Sequence, residues 1–132
     1  ALEVSIQSKK PYSSFLGKKH HSKYNHVSIA LNDERKNIHN LINERVDIMF
    51  NNGLLDEAEQ LHKYSHLNTL NTVGYKELFN YLDGKVSKVD AVEHIKRNTR
   101  RFAKKQITWL NNNGKHHWFN PNDSFDDIKG VL

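Results

Sequence analysis

The chain of 132 residues is 36% apolar and 27% charged, the composition of one globular domain with a modest core. No stretch approaches the ~20 consecutive apolar residues of a membrane span, no segment reads as a secretory signal, and the lack of cysteine excludes disulfides and thiolate zinc sites. A net charge of +5 and a pI of about 9.4 favour an anionic partner without naming one, and the cytoplasm is the default location.

In chain order, "KKPYSSFLGKKHHSK" at 9–23 is basic, polar and broken by Pro11 and Gly17, which reads as a loop. "YNHVSIAL" at 24–31 has the alternation of a strand. Asn32 or Asp33 then caps a helix from about Glu34 to Phe50, stopped by Asn51-Asn52-Gly53. "LLDEAEQLHKY" from Leu54 is a short helix, and "NTVGYKELFNYLDGK" holds another that ends at Asp83-Gly84. Ser87, with Asp90 three positions on, has the spacing of a capping box for a long helix reaching about Leu110. "NNNGK" stops it, "HHWF" reads as a short strand, and 123–132 as a closing helix or a tail. The expected architecture is mainly α with a minor strand component.

The long helix is chemically unusual. From Lys96 to Lys105 it carries six basic residues and no acid. At ~100° per residue, Val92, Ile95, Thr99, Phe102, Gln106 and Trp109 form one stripe, expected to attach the helix to the core. Lys96, Arg97, Arg100, Arg101, Lys104 and Lys105 cover the opposite half. Like charges four apart, Arg97/Arg101 and Arg100/Lys104, repel by a few tenths of a kcal/mol each, and a polyanion relieves that repulsion by neutralisation and counterion release. A merely solvated face would carry interspersed Glu and Asp, so nucleic acid is the favoured partner. Trp109, at the end of an apolar stripe, reads as core rather than as a stacking platform.

A second anomaly lies in the helix 34–50, where Ile38, Leu41, Ile42 and Met49 make an apolar stripe and Arg45 sits within it. A buried guanidinium needs a partner, because an unpaired buried charge costs several kcal/mol. Two readings stand equally: a structural ion pair or snorkelling arginine, or a group that meets an incoming anion such as a phosphate. The nine histidines, including His62 and His66 at a spacing of four, lack a third ligand type and read as surface or packed side chains, with no metal site. Neither a G-x-x-x-x-G-K-[ST] phosphate loop nor a nucleophile elbow occurs.

Four ordered blocks, "RVDIMFNNGLLDEAEQL" (45–61), "NTVGYKEL" (71–78), "YLDGKVS" (81–87) and "NTRRFAKKQITWLNN" (98–112), resemble the tRNA dimethylallyltransferase (tRNA isopentenyltransferase) family, and the opening "ALEV" is similar to that family's stretch just after its helical insertion. The resemblance covers residues 1–6 and 24–112, with 9–23 and 119–132 only loosely alike. It implies the carboxy-terminal part of a P-loop NTPase-like α/β enzyme without the phosphate-loop half, a reading in keeping with a chain that opens at Ala1 rather than at an initiator Met. Residues 1–23 would be the end of the insertion and a loop, 24–118 a strand plus the helical part of the core, and 119–132 a tail.

The implied activity is transfer of a dimethylallyl group from dimethylallyl diphosphate to the exocyclic amine of the adenine next to the tRNA anticodon, assisted by Mg2+ whose ligands, with the catalytic Asp and Thr, lie outside this chain. This part alone would be inactive, and a monomer is expected. By position, the resemblance makes Arg45 the arginine that approaches the diphosphate, and Asn71, Thr72, Val73, Gly74, Tyr75 and Lys76 a tRNA-contacting stretch. A second is Lys104, Lys105, Gln106, Ile107, Thr108, Trp109, Leu110 and Asn111, with Arg97, Arg100 and Arg101 as additional phosphate contacts. These groups would hold the anticodon stem-loop while its target base is flipped into the site. The family usually has Arg where this chain has Lys105, often Arg at Asn111, and frequently Arg at Leu41. Lys loses the bidentate phosphate fork and Asn the charge. The competing readings are a non-enzymatic basic RNA- or DNA-binding module, in which Arg45 is only ion-paired, and a helical domain without nucleic-acid affinity.

Overall fold

A computed structural model describes residues 1–16 and 24–130. The later part of the expected loop, 17–23, and the end of the expected tail, 131–132, lie outside the described residues. The elements are α1 (Leu2–Ser8), β1 (Ile29–Leu31), α2 (Arg35–Asn51), α3 (Leu54–Leu61), α4 (Tyr75–Leu82), α5 (Lys88–Asn112), β2 (His117–Phe119) and α6 (Phe125–Lys129). A 3-10 turn at Tyr12–Phe15 occupies part of the expected loop, and two more, His62–Tyr64 and Asn68–Leu70, connect α3 to α4.

The core is helical. Val46 of α2, Leu54 and Ala58 of α3, Leu78 and Phe79 of α4 and Ile95 of α5 form one buried cluster, flanked by Met49, Phe50, Leu61, Tyr75 and Val92. Ala58 and Ala91 are fully buried, and such small side chains let helix backbones approach closely. Gly53, at φ 92°, is the N-cap of α3 and makes the reversal after α2 possible in two residues. Helices α2 and α5 run antiparallel: Arg100 bonds Asn43 at 2.6 Å and Lys96 pairs with Asp47 at 2.7 Å, so the partner number falls by four as the helix number rises by four.

The strands form a two-stranded parallel sheet in which Ile29, Ala30 and Leu31 face His117, Trp118 and Phe119. The whole intervening run of helices is the crossover that a parallel pair requires. Only Ala30 of β1 is buried, while Ile29 and Leu31 are 38% and 57% exposed. Parallel sheets are ordinarily covered on both faces, and this one is open.

Several expectations need correction. The strand occupies 29–31 rather than 24–31, because only these residues have a ladder partner in "HHWF". The N-cap of α2 is Glu34, whereas Asp33 stands one residue earlier, its carboxylate accepting from the Glu34 N–H at 2.6 Å and from the Asn37 and Asn120 side-chain amides. Those bonds, the Glu34 N–H foremost, hold Asp33 below the usual carboxylate range. Ser87 does cap α5, accepting from the Asp90 N–H, but Asp90 returns a bond from the Ser87 hydroxyl instead of from its backbone. The closing segment is a helix with a complete capping box between Ser124 and Asp127.

Candidate nucleic-acid interface

The interface is built on α5, whose first half lies against the core and whose second half runs past it. Val92, Ile95 and Thr99 of the predicted stripe face inward, but Phe102 and Trp109 are 57% and 60% exposed and Gln106 is exposed. The expectation that these three attach the helix to the core fails. The Glu77 contact of α4 reaches α5 at Asn98; from Arg100 on, the helix faces α2, through Arg100, Ala103 and Ile107, all half-buried.

That rotation sorts the cations. Lys96, expected on the open face, is only 14% exposed at its side chain and is neutralised by Asp47. Arg100 is half-buried and donates to the side-chain amide oxygen of Asn43, which positions its charge without cancelling it. Among the described residues Arg97, Arg101, Lys104 and Lys105 have no ion pair. Arg97, Arg100, Arg101 and Lys104 line a cleft of about 540 Å³ whose opposite wall is Arg35 and His39 of α2. On the other side of Lys104, a second hollow of about 540 Å³ is lined by Arg101, Lys105, Thr108 and Trp109. An exposed indole therefore stands among unneutralised cations.

Arg35 escaped the sequence reading, although it carried a signal. Arg35 and Lys36 open α2 with no acid in the first turn, the wrong sign for the positive end of a helix dipole, at a cost of about 0.3–1 kcal/mol each.

The stretch 71–76 is a loop followed by the start of α4. Asn71, Thr72, Val73 and Lys76 are exposed, Gly74 is buried, and Tyr75 is half-buried. Gly74 lies at φ 109°, ψ −73°, a conformation closed to residues with a Cβ. The Tyr75 hydroxyl donates to the Glu57 carboxylate at 2.7 Å, and its ring stacks near Phe79. That hydrogen bond, with burial, pushes the phenol above its ordinary pKa. The loop is held to the basic helix by Glu77, which is 6% exposed. One carboxylate oxygen accepts from the Gly74 N–H and the other from the Asn98 side-chain amide, each at 2.8 Å. Neither Glu77 nor Asn98 was singled out in the sequence, although Gly74-x-x-Glu77 has capping-box spacing. Below the loop, Lys76 and Asn71 share a smaller hollow with His66 and Asp83. Asp83 is held below the usual carboxylate range by Lys85, then by His62 at 2.8 Å.

Arg45 is exposed, and Val46 takes the buried position beside it. Its flanking residues on that face, Leu41 and Ile48, are 59% and 51% exposed. Of the stripe that includes Arg45, Met49 packs against the core and Ile38 and Ile42 are half-buried, so only Leu41 and Arg45 are exposed, and among the described residues Arg45 has no ion pair. It lines none of the three hollows above. The fold therefore joins the loop 71–76 to the basic helix but leaves Arg45 on a separate face. Of the remaining expected contacts, Thr108 and Asn111 are exposed, whereas Ile107 and Leu110 are half-buried. Among the described residues no three His, Asp or Glu side chains gather into a metal-holding group, and no helix is long and apolar enough to cross a membrane.

Known proteins resemble this chain in sequence and in fold. The family model described as IPP transferase matches residues 1–113. A protein of Christiangramia forsetii named tRNA dimethylallyltransferase is 46% identical over 100% of this chain and 45% of its own length, and one of the same name from Flavobacterium johnsoniae is 48% identical over 96% and 41%. The solved tRNA delta(2)-isopentenylpyrophosphate transferase of Staphylococcus epidermidis superposes with a TM-score of 0.76 at 32% identity, over 98% of this chain and 45% of that one. The tRNA isopentenylpyrophosphate transferase of Bacillus halodurans gives 0.73 at 40% identity, over 84% and 38%. The chain thus spans somewhat less than half the length of the relatives it matches, and over that span it belongs to the IPP transferase family.

Proposed function

We propose that this chain is the tRNA-holding and diphosphate-side part of an enzyme that transfers a dimethylallyl group from dimethylallyl diphosphate to the exocyclic amine of the adenine next to the anticodon. The observation that carries the reading is the stretch of α5 from Arg97 to Trp109, where Arg97, Arg101, Lys104 and Lys105 stand without an acid and Trp109 is exposed. Cations there neutralise successive RNA phosphates and release their counterions. Trp109 offers a face on which an unstacked base rests, and the loop 71–74 brings backbone and Lys76 to the same strand.

In the transfer, the bond between the allylic carbon and the diphosphate oxygen breaks, a carbon–nitrogen bond forms, and the amine loses a proton. Negative charge gathers on the departing diphosphate, and an unpaired guanidinium at Arg45 suits that charge. Exposed Leu41 and Ile48 around it suit a surface that the rest of the enzyme covers. Magnesium, implied by the resemblance, finds no ligand group among the described residues; we assign its ligands to residues beyond this chain. We further infer that the whole enzyme works as a cytoplasmic monomer.

The test is binding of the chain to an anticodon stem-loop RNA with an adenine-rich loop, measured across a salt series. Binding should fall steeply with salt, and Lys104→Ala/Lys105→Ala should flatten the log–log slope by about 1.4–1.8. A folded chain that ignores the RNA at every salt concentration refutes the reading.

A further inference from the structure

We infer that Glu77 is a positioning residue for RNA: its buried carboxylate sets the loop Asn71–Gly74 in register with the basic helix. The inference rests on the RNA reading above. Glu77 sits in the first turn of α4, where an N-terminal acid already complements the helix dipole. That alone would explain an exposed glutamate. This one is 6% exposed, and each of its oxygens is committed to a different element at 2.8 Å, the Gly74 N–H of the loop and the Asn98 amide of α5. An ionised carboxylate only accepts, and both partners are N–H donors, so the set is matched.

The consequence is geometric. Gly74 has a backbone that few residues tolerate, and Asn71, Thr72 and Val73 before it are exposed. Asn98 lies just before the cationic residues Arg100, Arg101 and Lys104 on the same rigid helix. One side chain therefore fixes the distance between the two stretches that meet the RNA. Without it, the loop must be ordered at the moment of binding, at a cost that lowers affinity.

The test uses the 132-residue chain with Glu77→Ala, Asn98→Ala and Glu77→Gln. Affinity for the stem-loop RNA is read by fluorescence anisotropy at several salt concentrations, and amide exchange at 71–74 by NMR, both below each variant's melting point. Ordering one or two further side chains on binding amounts to about a tenfold loss. Glu77→Ala and Asn98→Ala should thus bind about tenfold more weakly, with faster exchange in the loop. Their salt slopes should match the parent's, because no cation has gone. Glu77→Gln keeps an oxygen for Gly74, and its amide can donate to the Asn98 oxygen after that group turns over, so it should bind like the parent. Global destabilisation alone would not move affinity in a folded sample.

If Glu77→Ala does not fold, Asn98→Ala decides, since it leaves the Gly74 bond in place. Parental affinity in a folded Ala variant overturns the inference, as does a Glu77→Gln variant as weak as Glu77→Ala. If the parent itself fails to bind RNA, the RNA reading falls. The exchange data then stand apart: unchanged loop exchange in Glu77→Ala overturns the positioning too, and accelerated exchange upholds it.

Discussion

Two lysines eight residues apart on one helix should behave in opposite ways. Lys96 and Lys104 both belong to the cationic half of the helical wheel, yet Lys96 is 14% exposed and paired with Asp47 while Lys104 is exposed and unpaired. Removing a cation that contacts a phosphate lowers the salt slope by about 0.7 for a single strand and 0.9 for a duplex. At 0.1 M salt that is about a five- to eightfold loss of affinity, if binding extrapolated to 1 M is unchanged. Lys104→Ala should show this loss and leave the unfolding midpoint nearly unmoved. Lys96→Ala should leave the slope unchanged and cost stability instead, by about 0.2–1 kcal/mol, since Asp47 is 58% exposed and the pair is partly screened. Asp47→Asn should release Lys96 and steepen the slope. Anisotropy titrations from 0.05 to 0.4 M KCl, with urea unfolding in parallel, separate the two behaviours. Equal losses of slope in Lys96→Ala and Lys104→Ala would refute the assignment of Lys96 to the α2 contact.

Gly74→Ala should cost about 1–3 kcal/mol in urea unfolding, all of it conformational, because an added Cβ at φ 109° meets nothing within 4 Å; a loss below 0.5 kcal/mol would contradict that backbone. Leu78→Ala, at a fully buried position, should cost about 2–5 kcal/mol in the same assay. The carboxyl of Asp83 is lowered in the folded chain by Lys85 and His62, so its contribution is present above the unfolded value near 3.8 and is lost as pH falls through the folded one. Stability should therefore decline below about pH 4, and Asp83→Asn should make the decline shallower; an identical acid limb in the variant counts against the cluster. Trp109→Ala should weaken RNA binding by about 1–3 kcal/mol, with less effect on unfolding than Leu78→Ala.

The helices were legible because their signals are local. Ser87 with Asp90, the Gly53 break and the Asp83-Gly84 stop mark ends that the structure reproduces within one or two residues. Ser124 with Asp127 carried the same kind of signal and was passed over. What was not legible depends on partners far along the chain. β1 is three residues long because only three find a ladder partner some 88 positions later. Lys96 leaves the cationic face because α2 supplies Asp47 on an antiparallel path, and Glu77 matters because Asn98 stands opposite it. A helical wheel shows which residues share a face but not where the neighbouring helix stops.

That limit gives the misplaced aromatics a meaning. Phe102 and Trp109 keep the spacing of a buried stripe, yet among the described residues no element covers them. Leu41 and Ile48 beside Arg45 do the same on α2, and Ile29 and Leu31 on an open parallel sheet. Hydrophobic periodicity reports burial in the complete working assembly, and this chain spans about 45% of its relative from C. forsetii. The strands hold no Lys or Arg, and the Arg45 face offers a single cation between exposed Leu41 and Ile48, so protein is the fitting cover there. The second half of α5 carries four cations, Arg100, Arg101, Lys104 and Lys105, and no acid to meet a protein surface, so a polyanion is the fitting cover for Trp109. The two kinds of exposed apolar surface are thus separable by charge: a longer chain containing the rest of the enzyme should bury Leu41 and Ile48 while leaving Trp109 quenchable by acrylamide until RNA is added. Loss of Trp109 quenching in the longer chain without RNA would assign that face to protein instead.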